Sequence, residues 1–393
     1  MATTAEQMRA HRGPALLSGG FRPFFLFAAV WAAIAVALWL PMFEGHVALP
    51  TAFSAVDWHV HELLYGYLAA AVAGFLLTAI PNWTGRLPVV GRSLGLLVAL
   101  WGAGRLAVLV SAAIGAWLAA AIDAAFLLAL TGLTAREVWT GENWRNLRVV
   151  GLVALLAIGN LVFHVEAILI GTAAWGTRIG IAAAVTLIAL IGGRIVPSFT
   201  MNWLRPRGPG ALPVPFARFD AVVIGVSSAA LALWVARPEG ALTGAALLVA
   251  GFLQAARLWR WVGWRTTGEM LVLILHVAYL CVPLGFLLLG AIDLGLLPLL
   301  PSAALHAWTV GAIGLMTLAV MTRASLGHTG RPLTATRPIR ILYVGGVVAV
   351  AARIAMGAGT AEFALMHLAA VGWLVAFAGF AVVYFPWLTR PRG

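Results

Sequence analysis

The run from Leu63 to Ile80 carries no charge, and its length is close to the ~20 residues a helix needs to cross a hydrocarbon layer. Runs of this kind recur along the whole chain, roughly at Pro23–Met42, Trp58–Ile80, Ser93–Ser111, Gly115–Ala135, Leu147–Gly171, Trp175–Phe199, Phe216–Val235, Leu242–Trp261, Glu269–Leu289, Ala303–Arg323, Ile339–Gly357 and Glu362–Trp387. They are continuous and lack the period-two alternation of a membrane β-barrel. The expectation is an all-α fold, a polytopic membrane helix bundle of about twelve transmembrane helices. The break between the third and fourth runs rests on little more than Gly115.

Composition agrees. The 393 residues are 62% hydrophobic and 10% charged, against about 25% charged in average soluble chains. We therefore expect one integral membrane domain over 1–393, with 1–22 as an amino-terminal segment and 388–393 as a tail. The polar start Met1–Arg12 precedes an apolar run longer than the ~7–15 residues of a signal-peptide core, which argues against a cleaved leader. Formal net charge is +12 and the chain has no lysine. Its arginines are scattered through short loops rather than gathered in a patch with aromatics, which speaks against a nucleic-acid partner. Cys281, the single cysteine, allows no intramolecular disulfide.

Arginine placement orients the bundle. If both termini are cytoplasmic, that side holds Arg9, Arg12, Arg22, Arg86, Arg92, Arg136, Arg145 and Arg148 from the first half alone, whereas the opposite side keeps Arg178, Arg237 and Arg353. Such asymmetry is the positive-inside pattern, and it predicts a multi-pass membrane protein with both ends on the cytoplasmic side.

With that orientation, His59, His61, His164, His306 and His367 fall near the outer ends of their helices and His276 lies deeper, near mid-membrane. Ionisable side chains within lipid are costly to desolvate, so intramembrane histidines default to a functional reading. His59 and His61 are two apart and diverge by ~200° on a helix, so they cannot serve one metal from one face. His61 with His306 suits the two axial positions of a b-type haem, held from facing helices. No Cys-x-x-Cys-His occurs, which rules out covalent haem attachment. A redox copper site needs about three imidazoles, and His59, His164 and His276 are candidates. The bland alternative is a set of histidines bonded to each other or to backbone carbonyls. Arg105 and Asp123, on adjacent helices, either neutralise each other or leave Arg105 to hold a haem propionate. Glu62 and Glu166 are the glutamates placed to relay protons. Arg194, Pro197, Thr200 and Asn202 read as a kink and anchor, and Met316 and Met321 as core.

An internal echo runs through the same region. Aligned without gaps, His61–Arg86 and His306–Arg331 share the histidine, then Gly66 with Gly311, then Thr84-Gly85-Arg86 with Thr329-Gly330-Arg331. Repeated units are common in membrane bundles.

WHVHELLYG (58–66), GFLLTAIPNWTGR (74–86), GGRIVPSFTMN (192–202) and HAWTVGAIGLMTLAVMTRASLGHTGR (306–331) closely resemble the NnrS family of bacterial membrane proteins, and FRPFFL (21–26) fits as well. Leu63 and Tyr65 stand where Met and Phe are expected, both conservative departures, and the likeness is diffuse beyond residue 340. The resemblance implies haem and copper as cofactors and a role in nitric oxide metabolism in denitrifying or nitrosatively stressed bacteria. His59, His61, His306 and His328 fall on its motif positions. It does not specify a reaction.

Three functions compete. One is an oxidoreductase that reduces or detoxifies nitric oxide, a small apolar partner able to arrive through membrane lipid, with electrons from a donor the sequence does not name. The second is a carrier of copper, haem or an iron–nitrosyl complex, since twelve crossings with both ends inside is also a transporter layout. The third is a nitric oxide-binding protein without turnover.

Overall fold

The computed structural model describes residues 13–391; Arg9, His11, Arg12 and Arg392 lie outside the described residues. Twelve helices are long and apolar enough to span a membrane: α1 (Phe21–Phe43), α2 (Ala55–Thr84), α3 (Arg92–Leu109), α4 (Ala116–Thr140), α5 (Trp144–Leu169), α6 (Ala174–Arg207), α7 (Arg218–Ala236), α8 (Ala241–Trp259), α9 (Met270–Asp293), α10 (Pro301–His328), α11 (Arg337–Ala358) and α12 (Glu362–Thr389). No strand occurs among the described residues. All twelve sequence runs are recovered, their ends shifted by several residues in either direction.

The local reasons are visible in the caps. Ser54 opens α2, its Oγ accepting from Asp57 N. Gly85, at φ 70, closes the same helix in the left-handed conformation that glycine takes without strain. Gly330 (φ 77) stands at the matching place after α10. Between α3 and α4, Ser111–Ile114 forms one short helical turn and Gly115 (φ 93) reverses the chain, so the weakest sequence boundary is a true one. Pro81 and Pro283 lie inside helices, as membrane bundles tolerate; separately, Thr78 and Thr84 of α2 donate to the carbonyls of Gly74 and Ile80.

Large apolar residues stay exposed on the outer faces, among them Leu96, Phe252 and Val382. In water that would be an aggregation hazard, whereas against acyl chains it costs nothing. Paired tryptophans, Trp139 edge-on to Trp144 and Trp259 tilted against Trp264, meet at helix ends on the arginine-rich side, as at an interfacial belt.

The chain forms two compact units. The first takes the described residues up to Ala183, with Ala324–Pro332 and those from Phe377 on. The second takes Ala184–Arg323 and Leu333–Ala376. In the first, α2 packs against α1 and α4, and α3 and α5 flank α4; in the second, α9 packs between α8 and α10, and α11 lies against α10. The internal echo extends into this architecture. The starts Ala55, Arg92 and Ala116 of α2, α3 and α4 recur at near-constant offset as Pro301, Arg337 and Glu362 of α10, α11 and α12. Both second helices also widen into a π-helical segment immediately after the histidine, at Glu62–Tyr67 and at Ala307–Leu315.

In the first unit Arg22, 2% exposed, reaches the carboxyl-terminal helix and donates to the carbonyls of Trp387, Leu388 and Arg390 at 3.3, 2.9 and 2.7 Å. These are orphan acceptors at a helix end. Arg22→Ala is expected to cost about 3 kcal/mol through the lost charge-assisted bonds. The check is a lowered unfolding midpoint of the detergent-solubilised protein by scanning fluorimetry, with Arg22→Lys recovering part of it.

Candidate metal centre

Four helices of the first unit bring six polar side chains to one dry spot, and a fifth adds a donor. The seventh residue of α2, His61, has a fully buried side chain, as does Glu62 beside it. Arg105 comes from α3, Asp123 from α4, and Asn160 and His164 from α5, one turn apart. Arg105 ties the acids together, donating from one terminal nitrogen to Glu62 Oε2 at 2.6 Å and from the other to Asp123 Oδ1. Trp31 of α1 adds a second donor to Glu62 Oε2 at 2.6 Å. Asn160 Nδ2 donates to Asp123 Oδ2 at 2.8 Å, and His164 Nε2 faces the same oxygen at 3.0 Å.

His61 is the pivot. Its Nδ1 lies 3.0 Å from Glu62 Oε1, while its Nε2 lies 3.0 Å from Asn160 Oδ1 and 3.3 Å from Asp123 Oδ2. A neutral imidazole has one N–H, yet both nitrogens here face oxygen acceptors. With both imidazoles neutral, one arginine stands against two carboxylates, a net charge of −1 in a site from which water is excluded. Buried charge of this kind is compensated either by a second proton on His61, which makes both ring nitrogens donors, or by a bound cation. The donor set fits a metal ion. Ligand atoms of His61, Asp123 and His164 lie within 4.8 Å of one another, the two imidazoles at 3.3 and 3.0 Å from Asp123 Oδ2, and a shared ion with bonds of about 2.0–2.2 Å would set all three about 3.3–3.6 Å apart. Glu62 on the far nitrogen of His61, and Asn160 and Arg105 on Asp123, are the outer partners that orient metal ligands.

Glycines clear the space. A Cβ on Gly66 would sit 2.5 Å from an Arg105 terminal nitrogen and 3.0 Å from both Glu62 Oε2 and Trp31 Nε1, and one on Gly104 would sit 2.9 Å from Asp123 Oδ1. Gly66 lies within the π-helical segment of α2, a distortion frequent at functional sites. The loop between α1 and α2 supplies the cover. Phe53 packs on the rings of His61 and His164, with centroids 5.2 and 5.4 Å away, and Phe163 and Tyr65 close the sides. Ser111 straps this loop down, accepting from Ala52 N at 2.8 Å and bonding the Thr51 hydroxyl at 3.2 Å.

The remaining candidates have other surroundings. The divergence of His59 and His61 is realised: the His59 ring stacks on Trp39 of α1 at 4.1 Å. Glu166 accepts from the Trp175 and Gly176 amides at 3.0 and 2.7 Å, capping the start of α6. His328 stacks on Phe21 at 5.1 Å. In the second unit, His306 Nδ1 donates to Ser302 O at 2.6 Å and its Nε2 accepts from Arg353 at 2.5 Å. His276 is seventh in α9, nearer the Met270 end than the middle. Its Nε2 faces the Thr200 hydroxyl at 2.8 Å, and its buried Nδ1 has no hydrogen-bond partner. His367 bonds Phe363 O. Sequence reasoning paired Asp123 with Arg105 and missed that it also joins two imidazoles; Asn160 and Phe53 went unnoticed. The signal available was the Asn160/His164 spacing, which puts both on one face of α5.

Gly66→Ala is expected to push Arg105 off Glu62, leaving a buried carboxylate short of its counter-charge and costing about 3–5 kcal/mol. Gly102→Ala, at a helical position with open space around it, is expected to be neutral or stabilising by up to about 1 kcal/mol. Unfolding midpoints of the two variants make the comparison.

Among curated proteins none matches the chain. The family described as NnrS protein matches residues 15–392, nearly the whole length. The likeness first read from four short motifs thus extends past residue 340 to the last helix, and the chain belongs to the NnrS family.

Proposed function

We propose that this protein handles nitric oxide at a copper ion held by His61, Asp123 and His164 under the outer loop of a bacterial inner-membrane helix bundle. Family membership supports a role in nitric oxide metabolism or tolerance, and the family is associated with haem and copper. The observation that carries the reading is the His61 imidazole facing acceptors on both nitrogens inside a cluster one positive charge short. Imidazole and carboxylate donors accept several divalent metals, and geometry and availability decide among them. A monovalent copper ion makes the cluster neutral.

A copper ion bound there would supply one-electron chemistry and an open position for a diatomic ligand. The protein's own part is to hold and enclose. His61, Asp123 and His164 bind from three different helices. Arg105 and Glu62 fix their orientation, and Asn160 holds Asp123. Phe53, Phe163 and Tyr65 keep water out, while an uncharged gas dissolved in lipid needs no aqueous channel. Glu62 is the carboxylate placed to pass a proton to His61; Glu166, capping α6, is better suited to holding that turn. Electrons come from a donor outside the chain. Haem at His61 or His306 requires one nitrogen of the ring to give up its present contact, to Glu62 or Asn160 in one case and to Ser302 or Arg353 in the other.

Elemental analysis of the purified protein is expected to find about one copper per chain, falling at least tenfold in His61→Ala, Asp123→Asn and His164→Ala and holding in His59→Ala. Anaerobic consumption of nitric oxide with an artificial electron donor should follow the copper content. Retention of copper in all three ligand variants sinks the site. Pyridine haemochrome spectra of His61→Ala and His306→Ala report separately on haem, and a colourless preparation that carries a metal complex across vesicles favours the carrier reading.

A further inference from the structure

A groove of about 1030 Å³ opens on the arginine-rich side of the first unit, away from the His61 cluster. It lies where the Gly85–Val90 segment passes the beginning of α3 and the end of α4. Its floor is apolar: Leu96, Leu97 and Leu100 of α3 face Ala129 and Leu133 of α4. Its rim is polar, formed by Arg86, Arg136 and Glu137. Glu137 sits low, 9% exposed, and accepts from Arg86 Nε at 2.5 Å and from Arg136 Nε and one terminal nitrogen at 3.0 and 2.6 Å. One carboxylate thus pins two guanidiniums side by side, leaving one positive charge over. Their other N–H groups, on side chains 43% and 63% exposed, remain available.

The depth of the floor is informative. Leu100 is eight residues past Arg92 and Ala129 seven before Arg136, so at 1.5 Å rise per residue the slot reaches about 10–12 Å below the rim. A slot of that depth suits the upper part of an acyl chain, and paired guanidiniums above it suit a phosphodiester, to which arginine donates in a fixed fork. Basic sites between membrane helices on the cytoplasmic side take anionic headgroups for this reason.

We infer that this groove is a resident site for an anionic glycerophospholipid, headgroup phosphate on Arg86 and Arg136 and one acyl chain between α3 and α4. The inference is independent of the metal centre. Neither arginine belongs to that cluster, and exposed Leu96 and Ala129 give the chain its wall from the lipid side.

The test is native mass spectrometry of the full-length protein in detergent micelles doped with equal phosphatidylglycerol and phosphatidylcholine. The expected result is a one-lipid adduct favouring phosphatidylglycerol by about fivefold, the discrimination one interfacial arginine provides. Arg136→Gln should bring that preference close to unity, and Ala129→Trp, filling the slot from an exposed position, should remove the adduct for both lipids. Gel filtration confirms that each variant is folded, and copper content is expected to be unchanged in both. Equal retention of the two lipids by the unaltered protein overturns the inference. So does an Ala129→Trp variant that keeps the adduct, or a protein dimer that forms in place of the lipid-bound monomer and is broken by Ala129→Trp, which would assign the groove to a second copy of the chain.

Discussion

Arg105 suspended between Glu62 and Asp123 is the interaction around which the first unit is arranged. Three unit charges without water form a high-energy arrangement unless every lone pair and every N–H is met. The surrounding structure meets nearly all of that demand, the Nε–H of Arg105 being the exception. Trp31 and Asn160 supply the missing donors, Gly66 and Gly104 surrender their side chains so that the guanidinium and the Asp123 carboxylate fit, and the π-helical turn of α2 supports the close approach. A bundle held by apolar contact alone would need none of this. Keeping such a cluster is evidence of use, because replacing buried ion pairs by apolar groups is often stabilising.

What the sequence revealed and what it hid divide along a physical line. Crossings were legible because lipid permits few alternatives: a run of ~20 uncharged residues between arginines has almost no other conformation open to it. The separation of His59 from His61 followed from the helical period, and the structure sends them to α1 and into the cluster. The choice of partner was not legible. Period specifies a face and never the helix that meets it, so Asp123 was seen as a counter-ion to Arg105 while its second oxygen, turned toward two imidazoles, went unread. Glu166 misled for a related reason. Its neighbour His164 points to the cluster while it points to the amides that open α6, and a residue two positions along a helix looks the other way. The π-helical segment left one trace, Gly66, whose demand for space becomes apparent only beside Arg105.

The echo between α2–α4 and α10–α12 shows one scaffold carrying two chemistries. In both, a histidine precedes the widened turn and an arginine from the following helix reaches toward it: Arg105 to Glu62, Arg353 to His306. The position of Glu62 is taken by Ala307 in the gapless match, and with it goes the acid. The second unit places its buried ion pair elsewhere, between Asp220 of α7 and Arg257 of α8, where Arg257 also donates to Ala189 O and the Tyr279 hydroxyl. The two segments share helix spacing and a widened turn, and differ in the side chains that set local charge.

The clasp made by Arg22 has a bearing on biogenesis. Arg22 stands at the start of α1, and the three carbonyls that receive it belong to residues 387–390, 365 to 368 positions later in the chain. Until the ribosome has delivered residues 387–390, that guanidinium must borrow water or lipid headgroups. Closure of the first unit is therefore a late event, and any truncation short of Trp387 would leave the earliest helix inserted yet unlatched, a state that membrane quality control is well placed to recognise.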